Sequence, residues 1–168
     1  MVKDRLYKFL EQNKFFYDFQ YAFRKGAGVE TAVFDLVVHL QQAQDNGSCA
    51  MGLFIDLKKA FDTVPHELLL LKLECYGVRG VALSWFRSYL SGRKQCIREN
   101  NAVSVFLEIN CGVPQGSILG PLLFIIYISD LGNVGFQWRL ILYADDTNFL
   151  YCDRNAEELL PMAQADLN

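Results

Sequence analysis

The amino-acid sequence predicts a single domain of the α+β class, and three observations support this class. At 168 residues the chain has the length of one domain. Short apolar runs on both sides of Asp145 and Asp146 predict a β-hairpin with the two carboxylates at its tip. Apolar residues recur at helical spacing in residues 29–44 and 80–90. We therefore expect helices and an antiparallel strand pair in the same domain.

The first part of the chain combines helical patterns with one strand. Apolar residues at helical spacing predict helices over residues 4–16 and 29–44. The apolar face expected on the second helix consists of Ala32, Val33, Leu36, Val37 and Leu40. Between the two helices, residues 20–28 contain two cations and two glycines, which is typical of a loop. The apolar run over residues 50–57 then predicts a strand with Asp56 near its end.

The rest of the chain predicts four helices and two strands besides the hairpin. Asp62 and Thr63 offer capping oxygens to the first of these helices, and Gly116 with Ser117 forms an N-cap for the third. The helices are expected over residues 68–76, 80–90, 118–130 and 155–167, and the strands over residues 95–98 and 103–109.

Charge is distributed unevenly along the chain, although the formal net charge is only −3. Residues 79–98 contain five basic and no acidic side chains, whereas the chain from Asp130 onward is acidic. A basic segment suits a phosphate backbone, which makes Arg87, Arg93 and Lys94 candidates for binding nucleic acid. A solvated helix face explains the same pattern equally well.

The cysteines and the apolar segments exclude several classes of protein. Five cysteines without a Cys-x-x-Cys pair, with only two histidines, match no zinc-site pattern, and we interpret them as reduced thiols. Charged residues interrupt the start of the chain, which predicts no signal peptide. The longest apolar segment, residues 118–128, is too short to span a bilayer. We therefore expect a soluble intracellular protein, nuclear or cytoplasmic.

Three carboxylates are the main candidates for a chemical function. If the strand that ends near Asp56 pairs beside the hairpin, Asp56 meets Asp145 and Asp146 at one end of a sheet. Like charges held together are usually neutralised by a cation, and carboxylate oxygens favour Mg²⁺. Three carboxylates around divalent ions suit two-metal phosphoryl transfer. A solvated turn is the alternative interpretation of the Asp pair.

Three motifs follow one another in a fixed order along the chain. They are Phe54-Ile55-Asp56-Leu57-Lys58-Lys59-Ala60-Phe61-Asp62, Gly112-Val113-Pro114-Gln115-Gly116-Ser117-Ile118-Leu119-Gly120-Pro121 and Tyr143-Ala144-Asp145-Asp146. Together they resemble the catalytic motifs of reverse transcriptases, most closely those of non-LTR, LINE-type retrotransposons. The resemblance extends from about Gln20 to the end of the chain.

This resemblance implies the palm of an RNA-directed DNA polymerase, with an antiparallel sheet backed by helices, part of the fingers and no thumb. Within one domain fragment, residues 1–48 correspond to a partial, helical fingers-like segment and residues 49–168 to the palm. The implied catalytic residues are Asp56, Asp145 and Asp146, which would bind two Mg²⁺ ions, with Mn²⁺ as a substitute.

The resemblance also implies the partners, which are an RNA template, a DNA primer and deoxynucleoside triphosphates. Phe61 matches the aromatic side chain that excludes a ribose 2′-hydroxyl, although the residue alone would be read as core packing. Gln115 and Gly116 match the turn that contacts the incoming nucleotide, and the alternative is a turn that only organises the fold. Tyr143 is expected near the primer terminus and Arg24 near a phosphate.

The sequence departs from the family pattern at both ends. The early fingers motifs do not precede Gln20, and the thumb and endonuclease regions do not follow the hairpin. We therefore expect a fragment of a longer retrotransposon polyprotein. Two functions remain open, template-directed DNA synthesis or a truncated, non-catalytic remnant that at most binds nucleic acid. A weaker third possibility is a metal-dependent nuclease that uses the same carboxylates.

Overall fold

The structure is a computed structural model in which residues 2–134 and 139–167 are described. The helices of this part of the chain are α1 (Val2–Gln12), α2 (Val29–Asp45), α3 (His66–Cys75), α4 (Val81–Leu90), α5 (Gly120–Ile128) and α6 (Ala156–Asp166). The strands are β1 (Cys49–Ile55), β2 (Lys94–Gln95), β3 (Arg98–Glu99), β4 (Ala102–Val103), β5 (Leu107–Glu108), β6 (Arg139–Tyr143) and β7 (Asp146–Asp153). This mixture of helices and antiparallel strands confirms the predicted α+β class.

The chain forms two compact units. The first unit comprises Met1–Gln12 and Lys59–Tyr127, and the second comprises Asn13–Lys58 and Ile128–Asn168. The division between residues 48 and 49 that the sequence suggested remains a prediction.

The second unit is built on a three-stranded antiparallel sheet in the order β1-β7-β6. Strand β7 is central, and its pairing with β1 runs from Cys49 opposite Asp153 to Ile55 opposite Thr147. Strand β6 is buried along its middle, where Leu140, Ile141 and Leu142 are at most 3% exposed. Helices α2 and α6 pack against this sheet. Burial of these apolar side chains is the main stabilising term of the unit.

A short segment before α2 extends the sheet of the second unit. The N–H of Tyr21 donates to the carbonyl of Leu142 at 2.9 Å, and the N–H of Leu142 donates to the carbonyl of Phe19 at 2.9 Å. Gln20 therefore lies in a parallel bridge with β6. The loop predicted over residues 20–28 thus begins with a piece of sheet, a pairing of residues far apart in sequence that no local pattern indicates.

The first unit is mainly helical. Helices α3 and α4 pack together, and α5 supplies a buried apolar run in which residues 122–126 are at most 2% exposed. The predicted strand pair is present as two short ladders, β2 with β5 and β3 with β4, around a turn in which Asn100 has a φ of 51°. The ladders are only two residues long, so the strands predicted over residues 95–98 and 103–109 were too long.

Two expectations about helices were wrong in detail. The face predicted for α2 is only partly buried, because Ala32 is 8% exposed whereas Val33 and Val37 are 51% and 43% exposed. Helix α3 has Pro65 at its N-cap position and therefore no side-chain cap, because the expected capping residues Asp62 and Thr63 lie three and two residues before Pro65. Within residues 2–134 and 139–167, no helix combines the length and the apolar character needed to cross a membrane.

Candidate active site

The three candidate carboxylates lie at one end of the sheet in the second unit. Strand β1 ends at Ile55, which pairs with Thr147, so Asp56 follows directly beside Asp146. Asp145 occupies the turn between β6 and β7. Asp56 and Asp146 are exposed, and Asp145 is half-buried. The backbone therefore brings Asp56 beside the adjacent pair Asp145 and Asp146, although about 90 positions separate it from them in the sequence.

The side chains at this end do not form a preassembled metal centre. Among the described residues, no group of three or more His, Cys, Asp or Glu side chains is arranged to hold a metal ion. Carboxylate oxygens are nevertheless the donors that Mg²⁺ prefers, and Mg²⁺ usually takes one or two of them together with water and substrate phosphates. The donor chemistry of this end of the sheet therefore fits Mg²⁺, with coordination that phosphate oxygens would have to complete.

The hairpin tip holds an unusual backbone conformation. Ala144 has a φ of 55°, which side chains with a Cβ rarely adopt, and it is 7% exposed. Its N–H donates to Oε1 of Gln20 at 3.1 Å. The hydroxyl of Thr147 donates to the carbonyl of Asp145 at 3.2 Å. Tyr143, half-buried, ends β6 opposite Asp146, so it neighbours the carboxylates in sequence and in pairing.

Phe61 lies in a 3-10 helix, Ala60–Asp62, in the first unit. Its ring stacks on that of Phe124, with 4.2 Å between the centroids and 22° between the planes. Phe61 is half-buried, so the residue packs against Phe124 and is still partly accessible. The packing interpretation and the substrate-binding interpretation of Phe61 are therefore compatible.

Gln115 and Gly116 lie in an exposed turn of the same unit. The amide Nε2 of Gln115 donates to Oδ1 of Asp62 at 2.7 Å, which fixes the amide group and leaves its Oε1 available as an acceptor. The sequence alone did not indicate that Asp62 orients Gln115.

Backbone hydrogen bonds hold this turn against the segment that carries Phe61. The N–H of Gly112 donates to the carbonyl of Val64 at 2.7 Å, and the N–H of Val113 donates to the carbonyl of Phe61 at 2.8 Å. Nε2 of His66 donates to the carbonyl of Gly112 at 2.7 Å. Phe61 and the Gln115 turn are therefore parts of one packed substructure.

Gly112→Ala is expected to destabilise the protein more than Gly116→Ala. Both glycines have positive φ, +88° and +72°, so an alanine strains either position by about 1–2 kcal/mol. At Gly112 a Cβ would also lie 2.8 Å from the carbonyl oxygen of Asp62, whereas at Gly116 it meets nothing within 4 Å. The clash adds roughly 1–3 kcal/mol. Urea midpoints of the two variants measure the difference, and equal midpoints would contradict the close packing at Gly112.

The basic side chains that the sequence suggested as phosphate ligands already have partners within the protein. In the second unit, Arg24 donates to the carbonyl of Tyr17 at 2.9 Å. In the first unit, Arg87 pairs with Glu67 at 3.0 Å, Lys94 with Glu108 at 3.9 Å, and Arg93 lies 5.8 Å from the ring centroid of Tyr89. Exposed ion pairs contribute little stability, so Arg87 and Lys94 can exchange these partners for phosphates at small cost.

Tyr21 anchors the segment that borders β6. Burial, followed by the charge of Asp35 and a hydrogen bond to it, raises the pKa of Tyr21 to about 12. The phenol therefore stays neutral at physiological pH. Asp35 also pairs with Arg139 at 3.4 Å, where β6 begins. The segment next to Gln20 is thus fixed by side chains as well as by backbone pairing.

Sequence comparison identifies a family model and several relatives. The model described as "Reverse transcriptase (RNA-dependent DNA polymerase)" matches residues 1–167. The Drosophila melanogaster "Probable RNA-directed DNA polymerase from transposon BS" is 32% identical over 94% of this chain and 18% of the relative. The "RNA-directed DNA polymerase from mobile element jockey" of the same species is 32% identical over 89% of this chain and 17% of the relative. The chain thus spans less than a fifth of the length of these relatives.

A solved structure shares the fold. An apo telomerase from Candida tropicalis, truncated from its C-terminal domain, aligns over 99% of this chain and 36% of its own, with a TM-score of 0.68. The sequence identity is 14%, so this likeness concerns the fold alone.

Proposed function

Because this chain belongs to the reverse transcriptase family and to its non-LTR, LINE-type branch, we propose that it carries the palm chemistry of RNA-templated DNA synthesis. The observation that carries the proposal is the register of β1 on β7, which sets Asp56 beside Asp146 at the end of the sheet that also bears Asp145. Polymerisation needs carboxylates from separate parts of a chain to lie close together, and this register places Asp56 beside Asp146.

In this proposal the three aspartates bind and orient the reacting groups. Asp145 and Asp146 present adjacent charges from a tight turn, and Asp56 faces them from the neighbouring strand. When bound, two Mg²⁺ ions, or Mn²⁺ in their place, supply charge that activates a primer 3′-hydroxyl and stabilises the leaving pyrophosphate. The exposure of Asp56 and Asp146 leaves their oxygens accessible to substrate phosphates.

Five further residues would have the substrate-binding roles that the family resemblance suggests. The half-buried ring of Phe61 would exclude a ribose 2′-hydroxyl, and Oε1 of Gln115 would accept a hydrogen bond from the nucleotide while Gly116 keeps the turn open. Tyr143 would lie by the primer terminus. Arg24 would exchange its carbonyl partner for a phosphate.

The proposed partners follow from the same chemistry. They are an RNA template, a DNA primer, deoxynucleoside triphosphates and the remainder of a retrotransposon polyprotein. Exposed Arg87, Arg93 and Lys94 supply positive charge for the phosphate backbone. Their contribution should weaken as salt rises, because each neutralised phosphate releases a counterion.

The proposal is tested by primer extension on an RNA template with an annealed oligo(dT) primer, Mg²⁺ and deoxynucleotides. Wild type and Asp56→Asn are purified in parallel, so that a contaminating polymerase would appear in both samples. Incorporation that requires the RNA template and disappears in Asp56→Asn supports the proposal. No incorporation at any protein concentration supports the second candidate, a non-catalytic remnant.

Magnesium is expected to raise the melting temperature of the wild type slightly and that of Asp56→Asn less. Three neighbouring carboxylates repel one another, and a bound cation relieves the repulsion. At a Mg²⁺ concentration equal to Kd the stabilisation is ~0.4 kcal/mol, which corresponds to a shift of about 1 °C. Scanning calorimetry with Ca²⁺-free buffers, with and without MgCl₂, measures the shift. Identical shifts in the two proteins would argue against a shared site.

A further inference from the structure

The side chain of Gln20 is buried in the second unit and reaches the tip of the carboxylate hairpin. Gln20 is 0% exposed. Its Oε1 accepts hydrogen bonds from the N–H of Ala144 at 3.1 Å and from the N–H of Ala22 at 3.0 Å. Since both partners are N–H donors, the oxygen of the amide must face them, and the orientation of the amide is therefore determined.

The backbone of Gln20 is held as firmly as its side chain. Phe19 and Tyr21, on either side of it, exchange backbone hydrogen bonds with Leu142 of β6. The backbone next to Gln20 is bonded to Leu142, and the side chain of Gln20 reaches Ala144, two residues further along the chain. Gln20 thus connects the body of the sheet to the turn that carries Asp145.

The residue that Gln20 contacts is strained. Ala144 has a positive φ and lies directly between Tyr143 and Asp145. A backbone in this region persists only where its surroundings impose it. An acceptor aimed at the N–H of Ala144 is such a constraint, because the bond is made only when the turn holds this geometry.

The amide nitrogen of Gln20 argues against a purely stabilising role. Within the described residues Nε2 is buried and has no hydrogen-bond partner. A buried, unpaired amide group lowers stability, and an apolar side chain would avoid that loss. The position therefore combines a stability cost with an acceptor directed at the hairpin tip, a combination that favours a function for the acceptor.

We propose that Gln20 is a positioning residue, which holds the Ala144 turn so that Asp145 and Asp146 stay at the same end of the sheet as Asp56, where their carboxylates can bind a divalent cation together with substrate phosphates. This inference rests on the proposed function. Residues that orient metal ligands typically change metal affinity by about 10- to 100-fold when replaced. We expect the same range for loss of the Gln20 acceptor.

The test compares Gln20→Met with Tyr17→Phe. Methionine keeps an unbranched side chain of similar length and removes the acceptor. Tyr17→Phe removes the hydrogen bond from the Tyr17 hydroxyl to the carbonyl of Leu140, 3.0 Å long, and so weakens the same segment without touching the tip. Electron paramagnetic resonance measures Mn²⁺ binding, urea titration measures stability, and primer extension measures activity.

Gln20→Met is expected to bind Mn²⁺ about 10- to 100-fold more weakly than wild type, and Tyr17→Phe to bind it as wild type does. Suppose that folded Gln20→Met binds Mn²⁺ as tightly as the wild type does, and that the wild type extends primers. The inference is then overturned, and the proposed function stands. If the wild type neither binds Mn²⁺ nor extends primers, the proposed function fails and the inference fails with it.

A measurement on the wild type alone covers the case in which Gln20→Met does not fold. The N–H of Ala144 should exchange slowly with deuterium, because it is buried and bonded to Gln20. Rapid exchange of this amide, alongside slow exchange of Leu142 in β6, overturns the inference without any variant.

Discussion

Asp146→Asn is expected to lower the rate of RNA-templated primer extension by about 10³-fold or more, whereas Asp153→Asn should leave it within about twofold. The two aspartates are the first and last residues of β7, so the same chemical change is made at opposite ends of one strand. Only Asp146 lies beside Asp56. Loss of one carboxylate removes several kcal/mol of charge stabilisation from a metal-assisted transition state, and each 1.36 kcal/mol is a factor of about ten.

Asp153 is a suitable control because asparagine can keep its local contact. Oδ1 of Asp153 accepts a hydrogen bond from the N–H of Asn155 at 2.7 Å, just before α6 begins, and the carbonyl oxygen of an asparagine can accept the same bond. Single-turnover extension with saturating primer-template separates the chemical step from binding. A similar loss in both variants would point to damage to the sheet instead of loss of a catalytic carboxylate.

The carboxylate end of the sheet was predictable from the sequence because each part of it leaves a local signal. An acidic pair between two apolar runs predicts a hairpin, and Asp56 near the end of an apolar run predicts a strand terminus. The order of the motifs supplied the reverse transcriptase resemblance, which the family match over residues 1–167 confirms. The assignment of catalytic roles to Asp56, Asp145 and Asp146 remains a prediction.

The residues that the sequence did not reveal act through long-range contacts. Gln20 is the first residue of a loop-like segment, and its sequence neighbours give no sign that its amide reaches Ala144, 124 positions away. Asp62 has the local setting of a helix cap, but α3 begins only after Pro65, and the carboxylate of Asp62 accepts a hydrogen bond from a glutamine 53 positions later. Local pattern identifies strands and turns, whereas these pairings depend on how the chain packs.

The burial of α2 also differs from what the local sequence pattern predicts. Helical spacing correctly gave the helix, yet its buried side chains are Ala32 and Ala43, and the larger Val33 and Val37 stay exposed. Periodicity shows that a helix has an apolar face but does not show which part of that face the sheet covers.

Phe61→Ala is expected to raise the use of ribonucleotides relative to deoxynucleotides by about 10- to 100-fold, measured as the ratio of kcat/KM values. If the ring lies where a 2′-hydroxyl would sit, its removal relieves a clash of roughly 1–3 kcal/mol that only ribonucleotides suffer. The stacking of Phe61 on Phe124 offers a competing explanation, because loss of the ring also weakens the core of the first unit.

Phe124→Leu distinguishes selectivity from packing. Phe124 is 1% exposed, so this variant removes the other ring of the stacked pair without opening space at the surface. If Phe61 only packs, both variants lower stability and reduce the use of the two nucleotide classes in parallel. If Phe61 excludes the hydroxyl, the ratio rises in Phe61→Ala and stays at the wild-type value in Phe124→Leu. An unchanged ratio in Phe61→Ala would show that the stacked pair has only a structural role.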